Sequence, residues 1–293
     1  MPPRSPRSSA LIRATTRDLR CPPVRLASAH VFFSLSSWEL GFLIFGVIGG
    51  AALVGVVLGR FAQRRHDAYR ESIGVLQGAM LGVVGLILAF GLSLAVGRYQ
   101  DRRAHVVDDA NTIGTAYLRA QTIAEPQRTR SLRLLRQYND LAIQLTYEIP
   151  GSTALRRTAA EEGGIQQQLW RLAGEAMNED PVASAPRLYL DSLNAMIDQQ
   201  TVRIAGLNNR VPDAVLWLQL LGAAFALGFL ALYLSTLGRG VVAVFVAAAL
   251  VSLLVLITFD LDRPTRGLIR VPAAPLIAER ATMSLPPAAP APR

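Results

Sequence analysis

Four apolar blocks constrain this chain more than anything else in it. They run over about Trp38–Gly59, Ile73–Gly97, Ala214–Leu234 and Val241–Phe259. Each is long enough to cross roughly 30 Å of hydrocarbon as a helix. Past Glu39, none of them holds Asp, Glu, Lys, Arg, His or Pro. In lipid every backbone polar group must be satisfied internally, so unbroken apolar runs of this length fold as helices. The links between them, 60–72 and 235–240, are too short to do anything but fold the helices back as two antiparallel hairpins. Charged residues make up 17% of the chain, below the roughly 25% of an average soluble protein. The deficit lies in the four blocks, which marks membrane spans rather than one large buried core. The expected fold is an all-α integral membrane protein, with four transmembrane helices as two hairpins and a helical extramembrane bundle between them.

The net charge is +9, which raises the question of nucleic acid. Residues 98–210 hold 14 Arg against 13 Asp plus Glu, so the central region is nearly neutral. The excess sits in the tails and beside the spans, where arginines meet lipid headgroups. No basic stripe interleaved with aromatics occurs, and no zinc-finger spacing; the partner implied is the lipid bilayer, not nucleic acid. Lys is absent, and Ala, Gly, Pro and Arg are abundant, a usage that points to a GC-rich genome and a bacterial inner membrane. The single cysteine, Cys21, rules out a disulfide within the chain.

Residues 1–37 are rich in Arg, Ser and Pro. They read as a disordered basic tail or an upstream extension of the reading frame, in preference to a transit peptide. The first hairpin is assigned to 38–97, the soluble domain to 98–212, the second hairpin to 213–260 and a C-terminal tail to 261–293. The second span does not stop at the membrane: Tyr99, Val106, Ala110, Ile113, Tyr117 and Ala120 keep a three-four spacing. One helix from Ile73 to Ile123 would be about 75 Å long. A second helix is expected over Gln127–Tyr147. Gly163-Gly164 and the stretch Asn178–Pro186 read as breaks, with a short helix between them, and a last helix covers Arg187–Asn208. Eight arginines flank the spans on the domain side (Arg98, Arg102, Arg103, Arg203, Arg210, Arg263, Arg266, Arg270) against five on the other (Arg60, Arg64, Arg65, Arg70, Arg239). The positive-inside rule therefore places the domain in the cytoplasm.

No catalytic constellation appears. His30, His66 and His105 lie in separate segments, and no phosphate loop, G-x-S-x-G or H-E-x-x-H is present. An enzyme, a cofactor and a metal are not expected. Spans without ionisable residues also argue against a pump. The most ordered pattern lies in the second span: Gly74, Gly78 and Gly82, then Gly85, Ala89, Ser93 and Gly97, form a small-residue stripe. Such a stripe packs closely on a neighbouring helix, or lines a lumen narrowed by Leu86 or Phe90. Gly46/Gly50 and Gly55/Gly59 in the first span read as packing. After the fourth span, Asp260, Asp262, Arg263, Pro264, Arg266 and Gly267 make a tight turn at headgroup level. Its two acids either pair with Arg98, Arg102 or Arg103 or hold a cation; pairing is the reading adopted.

Several stretches resemble the bestrophin-like family of bacterial membrane proteins. They are Asp109-Ala110-Asn111 running into Ala116-Tyr117-Leu118-Arg119-Ala120, Leu134-Leu135-Arg136-Gln137-Tyr138, Arg210-Val211-Pro212, and Asp260-Leu261-Asp262-Arg263-Pro264 with Arg266-Gly267. Bestrophins are pentameric anion channels whose second membrane helix lines the pore. The resemblance implies a passive homo-oligomeric channel for an anion such as chloride, with the second span at the axis. The sequence departs from the bestrophin pattern in two places: Phe90 is the one mid-span aromatic, and only Asp260 and Asp262 lie near the place of a calcium clasp. The alternative is a non-conducting membrane scaffold or sensor whose helical domain binds a partner.

Overall fold

The structure, a computed structural model, describes residues 35–62, 70–238 and 240–288. The basic tail expected over 1–37 lies, apart from its last three residues, outside the described residues. Eight helices follow one another in this described part: α1 (Ser37–Ala62), α2 (Arg70–Ala120), α3 (Gln127–Tyr147), α4 (Thr153–Glu179), α5 (Ser184–Asn208), α6 (Asp213–Thr236), α7 (Val241–Leu261) and α8 (Ala274–Thr282). Four of them, α1, α2, α6 and α7, are long and apolar enough to cross a membrane.

Local chemistry sets the ends of these helices. Ser36 and Glu39 form a reciprocal capping box before α1: Glu39 N–H donates to Ser36 Oγ at 3.3 Å, and Ser36 N–H to Glu39 Oε2 at 2.7 Å. Ser152 caps α4 by accepting from the Leu155 N–H at 3.0 Å. The α6–α7 hairpin turns on Gly238 and Gly240, with φ of 68° and 82°. Those left-handed values carry little penalty only for glycine.

In the membrane half, α1 lays Leu40, Ile44, Ile48, Ala52 and Val56 against Leu216, Leu220, Ala223, Leu227 and Ala231 of α6 and Val244, Ala248 and Val255 of α7. Lipid tails are as apolar as these side chains, so what holds the helices together is close van der Waals packing. Gly55 and Gly59 supply it. A Cβ on Gly55 would run into the Gly228 carbonyl, and one on Gly59 would sit 2.6 Å from the Leu232 carbonyl oxygen. The packing expected of these two is present; Gly46 and Gly50 instead face open space.

α2 leaves the membrane and continues to Ala120, 51 residues in all, about 75 Å at 1.5 Å per residue. Around its outer half, α3, α4, α5 and α8 build a second core. Ile113, Tyr117, Leu135, Tyr138, Leu169, Tyr189, Leu193 and Met196 are fully or almost fully buried in it. Two features depart from the expectation. α4 runs without interruption through Gly163 and Gly164. Leu155, Thr158, Glu162, Leu169, Leu172 and Ala176 are buried along one of its faces, and that continuous packing outweighs about 1 kcal/mol of helix propensity lost per glycine. The C-terminal region expected as a tail folds back as α8. Leu276 and Met283 are fully buried, and Arg280 clasps Asp140 of α3 with its Nε 2.5 Å from Oδ1. The approach is open because Gly114 of α2 lies beneath Glu279, whose Cδ would stand 2.7 Å from a Cβ there.

Candidate functional site

The site begins with which face of α2 its own chain covers. Leu88, Gly91 and Ala95 are buried, and a Cβ on Gly91 would collide with the Gln219 amide of α6. That face is the contact with α6. On the opposite side, Gly78, Gly82, Gly85, Ala89 and Ser93 are exposed, with Leu86 and Phe90 beside them. A Cβ on Gly78, Gly82, Gly85 or Gly97 would meet nothing within 4 Å; Gly74 differs, lying against the Tyr233 hydroxyl. Of the four spans, α2 is the least enclosed: 17% of its apolar window is buried, against 44% for the one that includes α6. The small-residue stripe therefore takes no part in packing within one chain, Gly74 apart. At its domain end lies an open groove of about 510 Å³, lined by Phe90, Ser93, Leu94, Gly97, Arg98, Asp101 and Asn209. Arg98 is fixed there by donating to the Asn209 side-chain oxygen.

The exit motif after α7 is a knot of buried polar groups. Asp260 takes two backbone N–H groups, Leu268 on Oδ1 at 2.8 Å and Ile269 on Oδ2 at 2.9 Å. The Ser37 hydroxyl donates weakly to the same Oδ1 at 3.3 Å and to the Arg266 carbonyl at 3.2 Å. The start of α1 is thereby tied to the end of α7, on the domain side. Gly267 is required by close approach, since a Cβ would lie 2.7 Å from the Asp260 carbonyl oxygen. Asp262 accepts from the Val211 N–H at 3.0 Å, which locks the Arg210-Val211-Pro212 stretch ahead of α6 to the exit of α7. Burial lifts its carboxyl to about 6, against the pull of the Val211 N–H and of positive Arg102, Arg210 and Arg98. Arg263 Nη2 donates to the Leu35 carbonyl at 2.6 Å, and Arg102 Nη2 to the Leu261 carbonyl at 2.5 Å. Of the pairing expected with Arg98, Arg102 or Arg103, Asp262 feels Arg102 and Arg98 through space while bonding the Val211 N–H, and Asp260 closes a loop through backbone donors and interacts electrostatically with Arg263. No group of three or more His, Cys, Asp or Glu among the described residues could hold a metal ion.

The remaining motifs knit the domain. Arg136 donates to the Tyr117 hydroxyl at 2.7 Å and stacks 5.6 Å from its ring centroid. That hydroxyl donates onward to the Met283 carbonyl at 2.9 Å. Asp109 forms a buried ion pair with Arg203, whose second amino group donates to the Ala142 carbonyl and to Thr146 Oγ1. Sequence reasoning did not single out Glu162, which is fully buried. Gln200 donates to it at 2.5 Å, and burial raises its carboxyl to about 7. The place of Glu162 on the apolar stripe of α4 was the available signal.

An extramembrane helical bundle threaded by the long second span of a two-hairpin membrane unit defines a helical membrane protein of the bestrophin architecture. The family profile of the bestrophin-like domain matches residues 45–276, and the chain belongs to the bestrophin-like family. Among solved structures, it is similar to a bacterial bestrophin homologue from Klebsiella pneumoniae carrying a Tyr-to-Ala mutation. The TM-score is 0.60 and the identity 15%, covering 80% of this chain and 97% of that one. A Trp-to-Ala variant from the same organism gives a TM-score of 0.57 at 16% identity, covering 80% and 93%. A structure described as a membrane protein with a Gly-to-Ala mutation gives 0.60 at 16%, covering 84% and 99%. Identities this low establish the fold. No functionally curated protein matches the sequence.

Proposed function

We propose that several copies of this chain assemble around α2 as a passive anion-permeable channel in the bacterial inner membrane, with the helical domain in the cytoplasm. The observation that carries this reading is the open face of α2. A membrane helix with Gly78, Gly82, Gly85, Ala89 and Ser93 exposed on one side must meet something other than its own chain. Copies related by a symmetry axis supply it. Small residues leave a lumen, while Leu86 and Phe90 on the same exposed side narrow it and exclude water when dry. The path opens at its domain end into the groove lined by Arg98 and Asp101, where the Arg98 guanidinium is the group that attracts anions. Excess arginine on the domain side supports the cytoplasmic orientation.

The test places a cysteine on the stripe, Ser93→Cys, with Cys21→Ser removing the only native thiol. In the assembled protein, small water-soluble thiol reagents should label it from at least one side of the membrane. Ala89→Leu in the same position range should leave assembly intact and abolish anion flux, because a lumen has room for a side chain. An unreactive thiol, or an oligomer broken by Ala89→Leu, would make the stripe a packed contact, where overfilling typically costs about 1–3 kcal/mol. It would leave the non-conducting scaffold as the better account.

A further inference from the structure

Where α2 leaves the membrane, a small, partly enclosed cavity lies among four parts of the chain. Arg102 and His105 of α2, Thr146 at the end of α3, Arg203 of α5, and Pro264 and Val271 from the segment after α7 line it. Its free volume is about 10 Å³, room for a single water-sized body. It is separate from the exposed stripe of α2, none of whose residues lines it, and Arg102 is only 4% exposed.

The guanidinium of Arg102 is incompletely satisfied. Nη2 donates to the Leu261 carbonyl, but Nε and Nη1 are buried and meet no acceptor. Buried donors of a charged group left open are among the more costly features a fold can carry. The other groups of the cavity do not satisfy them. Arg203 is itself a cation, bonded to Asp109, the Ala142 carbonyl and Thr146. The Thr146 hydroxyl accepts from Arg203 and donates to the Ala142 carbonyl at 3.0 Å. Asp262 and Asp101 attract Arg102 through space, while Arg98 and Arg210 repel it. Neither acid lines the cavity, and neither meets Arg102 Nε or Nη1.

We propose that this cavity is a binding site for one monoatomic anion, a halide, held by the Nε and Nη1 donors of Arg102 beside the Arg203 guanidinium. Size excludes sulfate, phosphate and carboxylates. The lining decides between a halide and a water. Two guanidiniums, an imidazole and the Thr146 hydroxyl, already engaged with Arg203 and the Ala142 carbonyl, line the space, the other walls are apolar, and no carboxylate is among them. A water needs acceptors as well as donors around it, whereas a halide only accepts. The bound anion neutralises a buried cation where α2, α3, α5 and the segment after α7 converge, and so fastens the exit of the fourth span to the domain. This site is structural and does not rest on permeation: a chain that conducts nothing would still bind the halide.

The test uses the full chain in detergent, exchanged into gluconate and then titrated with bromide or chloride at constant ionic strength. Halide should raise the thermal midpoint saturably, by roughly 5–10 °C at 100 times its Kd, and sulfate should not. Arg102→Gln, if it folds, should lose the shift. Bromide diffused into crystals of the unaltered protein should give an anomalous peak within hydrogen-bonding reach of Arg102, a readout that needs no variant. An equal response to all salts, a shift retained in folded Arg102→Gln, or a cavity without bromide in those crystals would overturn the assignment.

Discussion

Single residues in this protein do work that their type alone did not reveal. Asp260 and Asp262 stood out as acids beside a membrane exit, and their environment makes them the fasteners of that exit. Both oxygens of Asp260 accept backbone N–H groups of the loop, and Asp262 holds the entry of α6. Glu162 is the reverse case, an ordinary glutamate in the sequence whose complete burial gives it an unusual proton affinity. Its carboxyl is lifted from 4.5 to about 7 by burial, partly offset by Gln200 and Arg203. The native state then binds a proton that the unfolded chain releases between those values. The stabilising contribution is fully present below pH 4.5 and is lost as pH rises through 7, on the order of 3 kcal/mol. Denaturation of the protein at pH 5 and pH 8 should therefore show a loss toward high pH that Glu162→Gln reduces. An identical pH profile in that variant would show that Glu162 does not carry the effect.

At the scale of elements, the apolar blocks and three-four spacings were legible because each helix reads its own period. The Gln127–Tyr147 helix lies where its spacing puts it. What misled was local punctuation. The Gly163-Gly164 pair looks like a break, yet helix α4 continues because packing on both sides of the pair is unbroken. Neither glycine is required by contact, since a Cβ on either would meet nothing within 4 Å. Gly163→Ala and Gly164→Ala should each raise stability by about 0.5–1 kcal/mol, read as a higher thermal midpoint in detergent. A loss of stability would mean that the glycines serve an approach by another chain. The stripe of α2 was equally legible as a pattern, but the pattern could not say which neighbour it serves. Only the fold shows that Gly91 and Ala95 face the chain's own α6 side while Gly78, Gly82, Gly85, Ala89 and Ser93 do not.

The whole molecule is where the sequence was least informative. Helix α8 is nine residues long, too short and too alanine-rich to announce itself. Its buried positions, Leu276 and the following Met283, gain meaning only from the groove between α2 and α3 that receives them. The chain's end thus closes the domain. Deleting residues 271–293 should remove about 3–6 kcal/mol of burial by those two side chains, seen as a lower thermal midpoint and a domain more readily cleaved by protease. An unchanged midpoint would make α8 a passenger. The same scale holds the central claim, that copies of this chain surround an anion-permeable path walled by α2. Purified protein in liposomes loaded with chloride measures it most directly. The account predicts passive chloride efflux down its gradient, blocked by Ala89→Leu, from an assembly whose mass is a multiple of 31.7 kDa. A correctly assembled protein that passes no anion, or a strictly monomeric one, would contradict it.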